Sequence, residues 1–342
     1  MRYLKIYSCL YCLLTFLTAN AQEPTIQLLA SGKKVSLRGL SVVSDKIIWV
    51  SGSSGSVARS IDGGNTFTWL PVIGYEKTDF RDIEAFDKNT AIIMGITEPA
   101  ILLKTTDGGK NWRKVFEDAT KGAFFDAMDF SNKDYGVLVG DPINNKLFIA
   151  QTQDGGEHWK VASLQGTYLN AKSGEAFFAS SGTNIKMMSY GYNHFVFASG
   201  GKASRLFHGN IIDSLPLIQG KQSTGANSIA IYKDKKAVIV GGDFAKDSIS
   251  SNNCVLFDIN LRESVPFIVP KTPPHGYRSC VIYINKKTLL TCGTSGIDIS
   301  KDGGMNWELI SKESYHVCQK AKKGKAIFLA GGNGRIAKLV IP

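Results

Sequence analysis

The sequence is short of much that site chemistry usually demands. Histidine is scarce: the five, His158, His194, His208, His275 and His316, show no paired spacing, so no metal-ligand pattern is predicted. Two of the six cysteines, Cys9 and Cys12, fall near the N-terminus. The others, Cys254, Cys280, Cys292 and Cys318, form no Cys-x-x-Cys pair, which argues against a redox motif or a zinc ribbon. The apolar run 6–17 is too short to span a bilayer, and no later stretch is long enough either. Glycine-rich runs such as 52–55 join two expected strands, not a strand to a helix, so no dinucleotide fingerprint is present. Acidic residues number 29 against 40 Lys and Arg, giving a formal charge of +11.

Glycine, in contrast, is plentiful at 35 residues, and much of it recurs in one pattern. Ser60-Ile61-Asp62-Gly63-Gly64-Asn65-Thr66-Phe67 returns as Thr105-Thr106-Asp107-Gly108-Gly109-Lys110-Asn111-Trp112. It returns again as Thr152-Gln153-Asp154-Gly155-Gly156-Glu157-His158-Trp159 and as Ser300-Lys301-Asp302-Gly303-Gly304-Met305-Asn306-Trp307. Asp accepts hydrogen bonds from the backbone amides that follow it, and glycine supplies positive φ without strain. Each copy therefore reads as a hairpin turn, with Phe67, Trp112, Trp159 or Trp307 opening the next strand and filling a gap in the core. A calcium loop would need several oxygen ligands within about a dozen residues; each copy offers one carboxylate.

The copies begin 45, 47 and then 148 residues apart, the last being about three more periods. A period of this length with strand-turn-strand content predicts four-stranded propeller blades. Repeats fall at 37–71, 80–115, 124–162, 175–217, 227–268, 277–310 and 317–339, those from 175, 227 and 317 without the turn motif. The seventh lacks an outer strand, and Thr25–Ala30 is a lone strand ahead of the first. The expectation is an all-β, seven-bladed propeller over 22–342, its ring shut by that N-terminal strand, which removes the exposed edges. Cys280 and Cys292 are expected to face each other across a hairpin, with Cys318 on the adjacent inner strand; three pairings of the four cysteines stay open.

Arg2 and Lys5, the apolar run, and Ala19-Asn20-Ala21 form a signal-peptide pattern with cleavage near Ala21. Export to the periplasm or medium is expected. Nucleic acid is then an unsuitable partner, and no membrane span is expected in the mature chain.

The four turns resemble the Asp-box of bacterial-neuraminidase-type repeats, where the motif is structural and lies away from the ligand-binding mouth. Leu37-Arg38-Gly39-Leu40-Ser41-Val42-Val43, then Ile48-Trp49-Val50-Ser51-Gly52-Ser53 and the first turn, resemble the photosystem II stability and assembly factor family. The resemblance implies a surface that binds protein partners, with no catalysis and no cofactor. On it, the protein is expected to be an exported, monomeric, non-catalytic scaffold for an envelope or extracellular protein, acidic proteins being among the candidates.

The expected upper mouth is lined by Arg38, Arg81, Asp82, Asp126, Asn227 and Arg278 from inner strands. Glu84, Glu175, Asp141 and Asp243 add carboxylates, and Arg205, Tyr190, Tyr192, His194, Phe244 and Tyr277 come from nearby segments. The rival reading is a sialidase-like hydrolase or a lectin that binds a glycan in this mouth. Arginines suit a sugar carboxylate, and a sialidase adds a tyrosine nucleophile with carboxylates. The Arg-Ile-Pro signature of that chemistry is missing: Gly39, Asp82 and Ser279 follow the three arginines. At the opposite end, the turns between first and second strands carry Lys46, Lys88, Lys133, Lys233, Lys235, Lys236, Lys286, Lys287, Lys322, Lys323 and Lys325. These are expected to form a basic ring on the same face as the Asp-Gly-Gly turns.

Overall fold

Second strands such as Ile48–Gly52 and Ala91–Gly95 are buried at every position. That pattern belongs to a sheet covered on both faces, and it is what radial blades produce. The computed structural model describes residues 23–96, 98–162, 170–189 and 194–341. The expected targeting segment 1–21, and Tyr190 and Tyr192, lie outside the described residues.

The described strands form seven antiparallel sheets. Blade 1 comprises Leu37–Val42, Ile48–Gly52, Ser56–Ser60 and Thr68–Trp69. Blade 2 comprises Phe80–Ala85, Ala91–Gly95, Ala100–Thr105 and Arg113–Asp118. Blade 3 runs from the inner strand Phe125–Phe130 to the outer strand Lys160–Val161. Blade 6 runs from Cys280–Tyr283 to Trp307–Ser311. In blade 7, Val317–Lys320, Ile327–Ala330 and Ile336–Val340 are completed by Thr25–Ala30, which pairs antiparallel from Thr25↔Val340 to Ala30↔Ile336. The ring therefore closes through the expected strand.

Two blades depart from the expected outline. The inner strand of blade 4 is Ile185–Met187, not a strand starting at Glu175. Glu175–Ala176 instead pairs with Gly200–Gly201, which touches blade 5 at Gly200↔Gly225. Blade 5 has Thr224–Tyr232, Lys236–Asp243 and Cys254–Asp258, but its outer strand shrinks to one bridge, Leu256↔Ile268.

Buried apolar clusters lie between successive blades. One unites Val42, Ile48, Ile299, Phe328 and Leu339 across blades 6, 7 and 1; another unites Trp49, Val57, Ile93 and Leu103 across blades 1 and 2. Near the axis, side chains stitch neighbouring inner strands together. Ser41 Oγ accepts the Ala85 amide at 3.0 Å and Asp82 Oδ2 accepts that of Met128 at 2.8 Å. Asp129 accepts from Met187 at 2.7 Å, and Ser228 from Val281 at 3.0 Å. Each bond satisfies a buried amide while setting the spacing between blades.

The four Asp-Gly-Gly turns share one geometry at one end of the ring, here the lower end. In the second, Asp107 accepts the hydroxyl of Thr105 at 2.9 Å and the amides of Lys110 and Asn111 at 3.0 Å. Thr105 Oγ1 accepts the Gly109 amide at 3.0 Å, and Gly108 donates to Asn89 O at 2.9 Å, tying the turn to the first hairpin of the same blade. Both glycines have φ above +80°. The second glycine also lies against the preceding blade: a Cβ on Gly109 would sit 2.9 Å from Leu70 and 3.3 Å from Trp49. Of the four aromatics, Trp307 is fully buried and donates to Gly304 O at 2.9 Å. Phe67, Trp112 and Trp159 are half-buried against their clusters.

Cys280 faces Cys292 in register, and Cys280 Sγ reaches the carbonyl of Cys318 at 3.3 Å. The four cysteines among the described residues, Cys254, Cys280, Cys292 and Cys318, are buried free thiols. No helix among the described residues is long and apolar enough to cross a membrane.

Candidate functional site: a plugged bowl at the upper end

The axis is not an open channel at its upper end. Residues 179–185 are buried and run from blade 4 across the centre. Ser180 donates to Asn227 Oδ1 at 2.6 Å, Ser181 to Ser279 O at 2.7 Å, and Thr183 to Ser228 Oγ at 2.7 Å. Arg38 Nη1 donates to Ser180 O at 3.3 Å. Gly182, at φ +65°, passes so close to Asp82 that an added Cβ would meet its carboxyl carbon at 2.2 Å. One segment thus touches blades 1, 2, 5 and 6. Small residues, Ala179-Ser180-Ser181-Gly182-Thr183, let the backbone reach the axis, and their hydroxyls satisfy the polar groups they bury.

Above this plug lies a cavity of about 450 Å³. Arg38, Arg81, Asn227 and Tyr277 line it. Asp141 and His316 line it too, with Phe178 and Phe244. Phe244 meets Phe178 at 5.7 Å and Tyr277 at 6.3 Å, both edge-on, making an aromatic wall.

The remaining expected residues lie elsewhere. Asp82 and Asp126 are buried on inner strands, outside the cavity lining. Glu84 is near the lower end, paired with Lys322 from the lower turn of blade 7; its strand has almost crossed the ring by that residue. Glu175 and Arg205 form a buried, two-pronged ion pair, with Arg205 Nε 2.8 Å from Glu175 Oε1 and the Lys172 amide on Oε2 at 2.8 Å. Arg278 is fully buried and donates to Asp298 at 2.6 Å, to Tyr277 O at 2.8 Å and to Ser295 Oγ at 2.7 Å. Glu84, Glu175, Arg205 and Arg278 are thus corrected from mouth residues to structural ion pairs. The physical reason is common to them: a buried charge requires a partner, and each has one close at hand.

Two guanidinium groups, Arg38 and Arg81, and one carboxyl group, Asp141, line the bowl. Arg81 pairs with Asp79 at 2.8 Å. Arg38 has no ion pair among the described residues, and burial followed by the charge of Arg81 lowers its pKa. Burial, then the guanidinium groups of Arg38, Arg335 and Arg81, push His316 down to about 3, so it is neutral. Burial raises Asp141, and burial with the charge of Asp141 raises Asp126 strongly. Tyr277 is buried, donates to Asn227 Oδ1 at 2.8 Å and is pushed up to about 12 by burial. A nucleophilic tyrosine needs an adjacent base and a lowered pKa; Tyr277 has an amide neighbour and a raised one. Among the described residues, no three His, Cys, Asp or Glu side chains converge on a possible metal position.

His316 and Phe178 were not singled out for the mouth from the sequence. The small, polar run 179–184 was the available signal for the plug that presents Phe178; His316, one residue before an inner strand, carried none.

Residues 42–123 match the family described as Photosynthesis system II assembly factor YCF48, and the chain resembles that family as a seven-bladed propeller. A YCF48 structure bound to a D1 peptide is similar at 17% identity and TM-score 0.63, covering 95% of this chain and 97% of that one. YCF48 from Cyanidioschyzon merolae is similar at 17% identity and TM-score 0.64, covering 92% and 98%. The WD40 domain of Neurospora crassa Pan2 aligns at 14% identity and TM-score 0.57, covering 90% and 89%. No curated protein sequence matches the chain. At these identities the structural likeness establishes the fold.

Proposed function

We propose that this protein is a non-catalytic scaffold that holds a partner protein, gripping a carboxylate-bearing peptide segment in the upper bowl. The observation that carries this reading is Arg38: a largely buried guanidinium without an ion pair among the described residues, beside Arg81 and facing a cavity. A guanidinium binds a carboxylate through two parallel hydrogen bonds. The Phe178–Phe244–Tyr277 wall adds an apolar surface for a neighbouring side chain. The similarity to a YCF48 structure bound to a D1 peptide supports a peptide as the ligand.

The partner is an envelope or extracellular protein, reached after export. This rests on the signal-peptide pattern of residues 1–21, and N-terminal sequencing of the exported protein should begin near Gln22.

The test is affinity capture from envelope extract with the native protein and with Arg38→Ala. A protein captured by the native form, and held about tenfold or more weakly by the variant, is expected. Capture unaffected by Arg38→Ala would remove the bowl from the reading. Turnover of a fluorogenic glycoside, or specific retention on a glycan array without a protein partner, would replace it with the glycan reading.

A further inference from the structure

The lysines of the lower face are not spread evenly around the ring. In blades 1, 2 and 3 the turn between first and second strands carries one lysine and one aspartate each: Asp45 with Lys46, Asp87 with Lys88, Lys133 with Asp134. Those blades also carry the turn carboxylates Asp62, Asp107 and Asp154, which hydrogen bonds hold ionised down to about pH 2. In blades 5, 6 and 7 the corresponding stretches 233–236, 285–287 and 322–325 hold eight lysines and one acid, Asp234, and of these three blades only blade 6 adds a turn carboxylate, Asp302. Asp234 is engaged by the Ser189 amide at 3.2 Å.

All eight lysines are exposed. Lys236 pairs with Asp258 and Lys322 with Glu84. Lys233, Lys235, Lys286, Lys287, Lys323 and Lys325 have no ion pair among the described residues. Their backbones are nevertheless held in place. Lys287 O accepts from Gly303 at 2.7 Å, Lys323 N donates to Val43 O at 3.1 Å, and Lys325 N to Asp45 Oδ1 at 2.7 Å. The side chains therefore start from fixed backbone positions on an arc covering three successive blades.

We propose that this arc docks the propeller onto an anionic lipid bilayer, with blades 5 to 7 against the headgroups and the bowl facing away. The composition selects this occupant over an acidic protein. Protein interfaces are depleted in lysine and enriched in arginine and aromatics; these three stretches contain eight lysines and no arginine or aromatic residue. Lysines on turn tips at one end of a ring can meet a plane of phosphates together without shape matching. Six unpaired charges are also enough for juxtamembrane attraction, which clusters of about four to eight basic residues provide. The carboxylates of blades 1 to 3 repel the same surface, so the ring is held with one side down. This inference does not depend on the reading of the bowl.

The test is co-sedimentation of the full chain with phosphatidylcholine vesicles, with and without phosphatidylglycerol, in low and high salt. Phosphatidylglycerol should increase binding, and salt should weaken it. The variant K286Q/K287Q/K323Q/K325Q should lose about tenfold or more of that gain. The variant K46Q/K88Q/K110Q/K133Q removes the same charge from blades 1 to 3 and should keep most of it. Circular dichroism and melting confirm that both variants fold, and Arg38→Ala should bind vesicles as the native chain does. Equal losses from the two quadruple variants would reduce the effect to net charge and overturn the proposal. So would a native chain indifferent to phosphatidylglycerol, or arc-dependent binding of poly-glutamate without vesicle binding; the last would assign the arc to an acidic protein.

Discussion

The Ser or Thr two residues before each turn aspartate does two things with one hydroxyl. Thr105 donates to Asp107 and accepts the buried amide of Gly109; Ser60, Thr152 and Ser300 repeat this. That explains the motif's first position, which the sequence displays without showing why. Thr105→Val keeps the shape but leaves the Gly109 amide without an acceptor. It should cost about 1–3 kcal/mol in urea unfolding, more than Thr106→Val on the exposed neighbour. Acid should act through the same turns. Asp62 is held at about 2 by the hydroxyl and amide of Thr66, and Asp107 at about 2 by the amide and side chain of Asn111. The folded pKa lies below the unfolded value of about 3.9. Their stabilisation is therefore present above that value and lost as pH falls from about 4 to about 2. Calorimetry should show a drop in melting temperature over this window, flattened when Asp62, Asp107, Asp154 and Asp302 become Asn. Asp82 has the opposite sign, because burial raises it well above the ordinary value. Its contribution declines as pH rises past that value, so Asp82→Asn should gain stability relative to the native protein as pH increases.

At the scale of elements, what could be read in advance was what repeats. The strands of blades 1, 2, 3 and 6 lie between identical turns, and alternating or fully apolar runs locate them. Thr25–Ala30 was legible because the last repeat lacked a strand and one was left over. The plug was not, since Ala179-Ser180-Ser181-Gly182-Thr183 has no period and small polar residues ordinarily mark a surface loop. Only tertiary contacts reveal that its hydroxyls serve blades 5 and 6 while its backbone meets blades 1 and 2. Misplacing the inner strand of blade 4 followed from this, and with it the assignment of Glu175 and Arg205 to the mouth. Arg38, Arg81 and Asn227 were named from matching early positions on inner strands, and Tyr277 from a segment nearby. Partner choice was not legible: Arg278 found Asp298, twenty residues on, while Arg38 found no carboxylate. Gly182 tests the plug directly. Gly182→Ala would place a methyl group against the Asp82 carboxyl in a left-handed conformation. It should cost about 2 kcal/mol or more by denaturation and weaken capture through the bowl. Gly32→Ala, also at positive φ but with nothing within 4 Å, should cost about 1 kcal/mol and leave capture unchanged.

For the whole molecule, the decisive bond is between the two ends of the chain. Thr25–Ala30 covers the edge of Ile336–Val340, which would otherwise present a row of unpaired amides and carbonyls. It also supports the first blade. A Cβ on Gly64 would lie 2.7 Å from Leu29 and 3.2 Å from Phe328, and Ile26, Leu29, Ala30 and Phe67 pack on the same cluster. The strand therefore closes the ring twice, once by the sheet ladder and once by seating the first Asp-Gly-Gly turn against blade 7. The two contributions can be separated. Leu29→Ala removes the side chain under the turn but keeps the ladder. It should cost about 1–2 kcal/mol in urea, as befits a half-buried leucine, with the protein remaining monomeric by light scattering. Internal deletion of residues 23–30 removes both. It should lower the melting temperature further and produce concentration-dependent association, because the bared strand can pair with a second copy. A deletion variant that stays monomeric at high concentration would show that the edge is protected by something other than this strand. Association in Leu29→Ala alone would show that the seated turn, not the ladder, keeps the ring shut.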